Sequence, residues 1–400
     1  MRLRIACVKH IMLALLAVAL LLGAVEVGLR VHHSCTIQST ADHLDFTQLS
    51  APSWKTHHFL KPLKSTVRRN PDTHLPVSIR TNSLGLRGQS VRIPKPSETY
   101  RIVYLGDDTV FASEVEEDET FCQLIQKKLH QAQGRKVEVI NAGVPNYCPL
   151  LSYLQFKHYL SSLQPDLLVL HFDLSDIADD HYYRRHAQMG SQGLPYLCTH
   201  PSFQVRPKEQ NPSLEQRFLL LQLFKRQLGL LPADENRAND QNTLETPTGQ
   251  YAWTRETRPD WEVYIVQALS PLSHLQKLAH QMSCPFVVTL SPVPWQISEK
   301  GMPDPVARQK LGIAPNRIYE PEIALEPIRQ YLNSQSIPYC DVTKRFQTEK
   351  RPENLYLNTT PQLSRRGHQI FAEIVGDYLA RTILSEQAPS LLYSDYNSRP

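Results

Sequence analysis

No two of the seven cysteines (Cys7, Cys35, Cys122, Cys148, Cys198, Cys284, Cys340) form a Cys-x-x-Cys pair. That spacing excludes a zinc cluster and a thioredoxin-type motif, and most of the thiols read as small buried apolar groups, with a disulfide of unassigned pairing permitted if the chain is exported. Charge of one sign is equally scarce: 43 Lys and Arg against 39 Asp and Glu, mixed along the chain, give a formal net charge of +4. No long-range field therefore points to nucleic acid, which is not expected as a partner. Glycine is sparse, 15 residues against 30 prolines, so long connections read as stiff excursions and not as flexible linkers. No internal repeat is present, and neither a cofactor nor a metal is expected.

Long apolar runs are also few. One approaches membrane length, Ile11 to Val25, preceded by Arg2, Arg4 and Lys9 and followed by Glu26. It falls short of the roughly 20 residues of a full span unless the flanking apolar residues are counted. No Ala-x-Ala arrangement follows it and no cysteine stands close enough to take a lipid, so residues 1–30 read as an uncleaved anchor, with a cleaved signal as the alternative. The basic flank comes first. A single-pass membrane protein is expected, with residues 31–400 outside the cytoplasm, in the periplasm or cell envelope.

The rest of the chain has globular composition, 41% hydrophobic and 20% charged. Residues 31–99 are punctuated by proline and read as an arm with short β-like pieces such as Val77 to Thr81. From residue 100 strands and helices alternate. Strands are predicted at Arg101–Leu105, Val137–Ile140, Asp166–Phe172, Pro285–Leu290 and Ile337–Val342. Helices are predicted at Thr120–Gln131, Leu150–Leu163, Trp261–Met282, about Glu320–Ser334 and Ser364–Leu384. This order implies an α/β fold with a doubly wound parallel sheet over 100–385, a tail over 386–400, and a ligand site at the carboxyl ends of the strands. A polar insertion at 181–259, with one amphipathic helix at Leu214–Leu230, breaks the rhythm and reads as a cap.

The residues at those strand ends carry a resemblance. Leu105-Gly106-Asp107-Asp108 resembles the Gly-Asp-Ser block of the SGNH/GDSL hydrolases, and Asn141-Ala142-Gly143-Val144-Pro145 their second block. Leu174-Ser175-Asp176 stands where the family has Asn-Asp, and Leu363-Ser364-x-x-Gly367-His368 is similar to the segment after its catalytic histidine. Arg80 to Gly88 resembles the stretch preceding the domain in membrane-anchored bacterial members. The resemblance implies a flavodoxin-like three-layer sandwich and ester-bond hydrolysis by a Ser-His-Asp triad with an oxyanion hole.

Matching the family block by block puts Asp108 at the serine position, Ser175 at the asparagine and Gln362 at the histidine. The orienting aspartate falls at Thr359 or Thr360. Gly143 alone keeps the family's residue and offers a backbone N–H. The expectation is a catalytically degenerate protein of ester-hydrolase descent whose old cleft binds an acylated glycan or similar ligand. An active ester hydrolase or O-acyltransferase using non-standard residues, and an envelope scaffold, are the alternatives.

Other features have two readings each. Asp107, Asp108, Asp173 and Asp176 either hold a hard cation or cap local turns. Trp253, Trp261 and Trp295 form either a sugar-stacking platform or packing. His171 reads as a core histidine and His368 as non-catalytic, while His32-His33 and His57-His58 read as solvated.

Overall fold

A computed structural model describes residues 48–133, 136–190, 193–203, 250–255 and 261–382, with parts of 10–28. The chain divides into two units, residues 1–46 with 204–243, and residues 47–203 with 244–400. In the first, the described residues include a helical stretch at 21–28. Of the apolar run Ile11 to Val25, residues 11, 14–16 and 18–20 lie outside the described residues, as do His32-His33, the insertion helix Leu214–Leu230 and the tail. Among the described residues no helix is long and apolar enough to cross a membrane.

The second unit begins with two antiparallel hairpins, β1 (Ser50–Pro52) with β2 (His58–Leu60), and β3 (Ser65–Arg69) with β4 (Pro76–Arg80). Then come β5 (Thr99–Gly106), the four-residue helix α1 (Asp108–Phe111), α2 (Phe121–Gln133), β6 (Lys136–Gly143), α3 (Pro149–Gln155) and β7 (Leu167–Phe172). Helix α4 (Asp176–Arg184) leads to a small hairpin, β8 (Ala187–Met189) with β9 (Pro195–Cys198). The order closes with α5 (Trp261–Gln281), β10 (Phe286–Leu290), α6 (Pro305–Lys310), α7 (Pro321–Ser334), β11 (Tyr339–Asp341), α8 (Thr343–Gln347) and α9 (Arg365–Thr382).

Strands β6-β5-β7-β10-β11 form one parallel sheet in that spatial order. This is the doubly wound arrangement whose switch point lies between the first and third strands, here β5 and β7. Strand β7, Leu-Leu-Val-Leu-His-Phe, is buried at every position, as a strand covered on both faces must be. On one face Ile102, Tyr104, Val139 and Val169 pack against Phe121, Ile125, Phe371 and Val375 of α2 and α9. The opposite face, by strand alternation, meets α3 and α5.

Residues 48–99, expected as an arm, instead belong to this unit. The physical reason is Arg87, which is 5% exposed. Its guanidinium donates to the carbonyls of Phe111 and Ala112, and to that of Val115 at 2.6 Å. Asn82 builds the turn that aims it: its Oδ1 accepts from the N–H groups of Leu84 and Leu86 at 2.8 and 3.1 Å. Gly85 sits there at φ +74°, where a Cβ would lie 2.1 Å from the Leu60 carbonyl oxygen, so only glycine fits.

His57-His58, expected in water, are likewise held in the fold. The two Nδ1 atoms are 3.1 Å apart and His58 Nε2 lies 2.9 Å from the Pro145 carbonyl. The His57 ring is buried among Tyr183, His186 and His200. Burial first, then His58, His200 and His186, lower its pKa.

Replacing Arg87 by Met removes the donors for three carbonyls inside the protein. The expected loss is about 3 kcal/mol or more of unfolding free energy, read by chemical denaturation. A change within the range of an ordinary surface substitution would show that Arg87 does not tie residues 48–99 to the sheet.

Candidate active site

At the switch point, β5 ends at Gly106 and the chain turns into α1. Asp107 caps that helix, its Oδ1 accepting from Thr109 N at 2.9 Å. Asp108 is the first helical residue, and its Oδ2 accepts the Asn146 N–H at 2.9 Å. Asn146 reaches it because the loop after β6 turns through a left-handed φ of +60°. Gly143 ends β6 beneath α1: a Cβ there would lie 2.4 Å from Phe111 N. Its N–H donates to Asn141 Oδ1 at 3.1 Å, while Asn141 Nδ2 donates to the Val110 carbonyl at 2.6 Å. The Gly143 N–H, read from sequence as the surviving oxyanion donor, is therefore engaged inside the loop.

Across the crevice, β7 ends at Phe172 and Asp173 organises the following turn. Its Oδ1 accepts from both the N–H and the hydroxyl of Ser175, at 2.7 and 2.5 Å, and its own N–H donates to Asp176 Oδ2 at 2.9 Å. Thr109 Oγ1 donates to Asp173 Oδ2 at 3.2 Å and stands 3.5 Å from Gln362 Oε1. Asp108, Ser175 and Gln362 thus converge around Thr109 and Asp173, whereas Gly143 lies behind the helix as a packing glycine. Thr359 and Thr360 have buried hydroxyl oxygens without a hydrogen-bond partner.

Sequence reasoning did not single out Thr109 or Asn146. Their places follow from adjacency: Thr109 is next to Asp108, and Asn146 follows Asn141–Pro145 directly.

The electrostatics are those of carboxylates removed from water. Burial raises Asp107, Asp176 and Asp179 well above the usual range, and their neighbours, Asp173 foremost, add to it. Asp108 is pushed up to about 7, first by loss of solvent; Glu114 and Asp173 reinforce the shift, and the Asn146 N–H and Arg68 oppose it. Tyr251 lies close enough that these carboxylates, after burial, raise its phenol.

Neither histidine near the sheet serves as a base for Asp108. His171 is satisfied on both sides, Nδ1 to Thr289 Oγ1 and Nε2 to Ser291 Oγ, each at 3.1 Å. Burial lowers it to about 4. His368 Nδ1 accepts from Phe121 N at 3.3 Å in the α2–α9 core, and burial lowers it to about 3.

Asp107 and Asp176 act as turn caps, and among the described residues no group of three His, Cys, Asp or Glu is placed to hold a metal ion. Trp253 and Trp295 are fully buried; Trp295 meets Tyr251 edge to face and donates to Thr254 Oγ1 at 3.3 Å. They are packing, not an exposed sugar platform. The Trp261 side chain lies outside the described set.

No family model and no curated protein matches the chain. Solved structures similar to it include the lipase/acylhydrolase from Enterococcus faecalis, at 12% identity over 70% of this chain and 94% of that one, with a TM-score of 0.36. An acetyl xylan esterase is 14% identical over 70% and 99%, with a TM-score of 0.37. A GDSL-like lipase from Bacteroides thetaiotaomicron is 10% identical over 70% and 88%, with a TM-score of 0.33.

A carboxyl whose folded-state pKa is raised holds its proton more tightly in the folded protein. Its stabilising contribution is complete below the unfolded value near about 4 and is lost as pH rises through the folded value. For Asp108 that window runs from about 4 to about 7. Thermal melts of wild type and Asp108→Asn should show the variant gaining relative to wild type across this window and the gap levelling off above it. A gap independent of pH would mean that Asp108 titrates normally.

Proposed function

We propose that this chain is an SGNH/GDSL-type scaffold that has lost ester hydrolysis and binds a polyhydroxylated ligand, such as an acylated glycan, at the old catalytic mouth. In this reading the N-terminal segment holds it in a membrane with the domain outside the cytoplasm. The observation that carries the proposal is the state of Asp108: the nucleophile position is a carboxylate that already accepts the Asn146 N–H.

Acyl transfer by this family's route needs a hydroxyl, a base to deprotonate it, and free donors aimed at a developing oxyanion. Asp108 has no hydroxyl, and both ring nitrogens of His171 are engaged with Thr289 and Ser291. The Ser175 hydroxyl and the Gly143 N–H are turned to Asp173 and Asn141. Loss of triad members costs on the order of 10⁶ in kcat even where the oxyanion hole survives.

The groups with partial exposure at the mouth, Asp108, Asp173 and Gln362, offer acceptors. An anionic tetrahedral intermediate would be repelled there, while sugar hydroxyls are donors that carboxylates bind well. The active alternative would use the hydroxyl next to Asp108, Thr109 Oγ1, which donates to Asp173.

The full chain is expected neither to label with a fluorophosphonate probe nor to hydrolyse short aryl esters above background. Labelling abolished by Asp108→Ala or Thr109→Val would overturn the degenerate reading. Calorimetry with O-acetylated and de-acetylated oligosaccharides tests the binding half, with Asp173→Asn expected to weaken any association about tenfold. Absence of binding by both oligosaccharides would defeat the glycan assignment.

A further inference from the structure

Three segments of the chain, residues 46–71, 139–165 and 181–203, contain no Asp or Glu and eight Lys and Arg, in a protein with 39 acidic residues overall. The fold brings these segments together. The Cys198 carbonyl accepts the His57 N–H at 2.6 Å, the Cys198 N–H donates to the Lys55 carbonyl at 2.9 Å, and the His200 N–H donates to the Ser53 carbonyl at 3.0 Å. His158 Nε2 meets the Tyr196 carbonyl at 2.9 Å.

Over this seam lie large exposed aromatics: Trp54 at 58%, Tyr159 at 48% and Tyr196 at 44% exposure. Trp54 stacks on Phe203 at 4.4 Å, and the Lys55 ammonium sits 6.0 Å from the Tyr159 ring centre. Lys157 lies 5.5 Å from the Tyr153 ring. Neither Lys55 nor Lys157 forms an ion pair with a described residue, so the ammonium beside Tyr159, and that of Lys157 two residues before it in sequence, have no acidic partner among the described residues.

We infer that this Trp54–Lys55–Tyr159–Tyr196 face docks on an anionic lipid surface. Trp and Tyr rings settle at the headgroup level, where an apolar body and a polar edge are both satisfied, and lysines extend to lipid phosphates. Charge complementarity selects this occupant over others, since the three segments carry Lys and Arg and no carboxylate beside the exposed rings. The apolar run ends at Val25, and residues 26–46 separate it from the second unit. Fully extended, that connection spans at most about 75 Å. The second unit begins a few residues before Trp54, so the connection starts in sequence close to this face. This inference rests on the proposed membrane anchoring, and the test separates the two.

The full chain is reconstituted into nanodiscs of brominated phosphatidylcholine, with and without phosphatidylglycerol. Tryptophan quenching is expected in the anionic discs, to be weakened by high salt and removed by Trp54→Phe. Quenching that is equal in both lipids, or unchanged by Trp54→Phe, overturns the docking face even if the chain resists carbonate extraction, which reports the anchor alone.

If carbonate releases the chain, the anchor fails and the face is tested on added vesicles. Salt-sensitive pelleting with phosphatidylglycerol, weakened about tenfold or more by Lys55→Glu with Lys157→Glu, upholds the face; no pelleting overturns it. A sedimentation dimer lost on Trp54→Phe, without quenching, would assign the face to self-association and also overturn the proposal. Unchanged melting temperatures confirm that the variants fold.

Discussion

A four-residue helix cannot satisfy its own carbonyls, and the arrangement of the site depends on how α1 solves that problem. A helix leaves its last four C=O groups without intrahelical partners, and in α1 these amount to nearly the whole element. Asn141 takes the Val110 carbonyl, and Arg87 takes those of Phe111 and Ala112. Arg87 places its positive charge at the negative end of the helix, in surroundings that lower its pKa to about 10 through burial, with Glu114, Glu117 and Glu116 opposing the shift. The position of Asp108 at the head of α1 is thus set by residues before β5 and at the end of β6.

With that geometry fixed, a few side chains decide the chemistry of the mouth. An α1 that begins with Asp108 fills the space in front of the Asn146 N–H with an acceptor oxygen, and Asp173 holds Ser175 and Thr109 by their hydroxyls. The result is a mouth lined by acceptors. The buried carboxyls favour acid, while the buried histidines, whose pKa values are lowered, add stability above about 6.5 that is lost as pH falls. The two groups therefore pull the stability curve in opposite directions.

The sheet was legible because its strands are nearly all apolar and its helices keep a 3.6-residue period. The predicted strand at Asp166–Phe172 appears as Leu167–Phe172, and the helix at Trp261–Met282 as Trp261–Gln281. Motif order placed Asp108, Ser175 and Gln362 at one mouth. Residues 48–99 were not legible as part of the domain, since their hairpins are short and many of their ties, those of Arg87 and His58 among them, go to backbone carbonyls, which leave no mark in sequence. Gly143 was misjudged for a related reason: its backbone N–H is claimed by Asn141, two residues earlier. His57 showed no sign of burial because its neighbours His186 and His200 come from a distant hairpin.

The contact between His57 and His58 settles where two protons sit. Pro145 offers only a carbonyl oxygen, so His58 must carry its hydrogen on Nε2 and present a bare Nδ1. His57 then has to donate from Nδ1 across the 3.1 Å gap, which leaves its own Nε2 unprotonated and, in this structure, without a partner. A second hydrogen on His58 would set two N–H groups against each other. The neutral pair is consequently an order parameter for the loop that follows β6: each imidazole has one permitted tautomer, and Pro145, the residue before Asn146, is the reference that selects it.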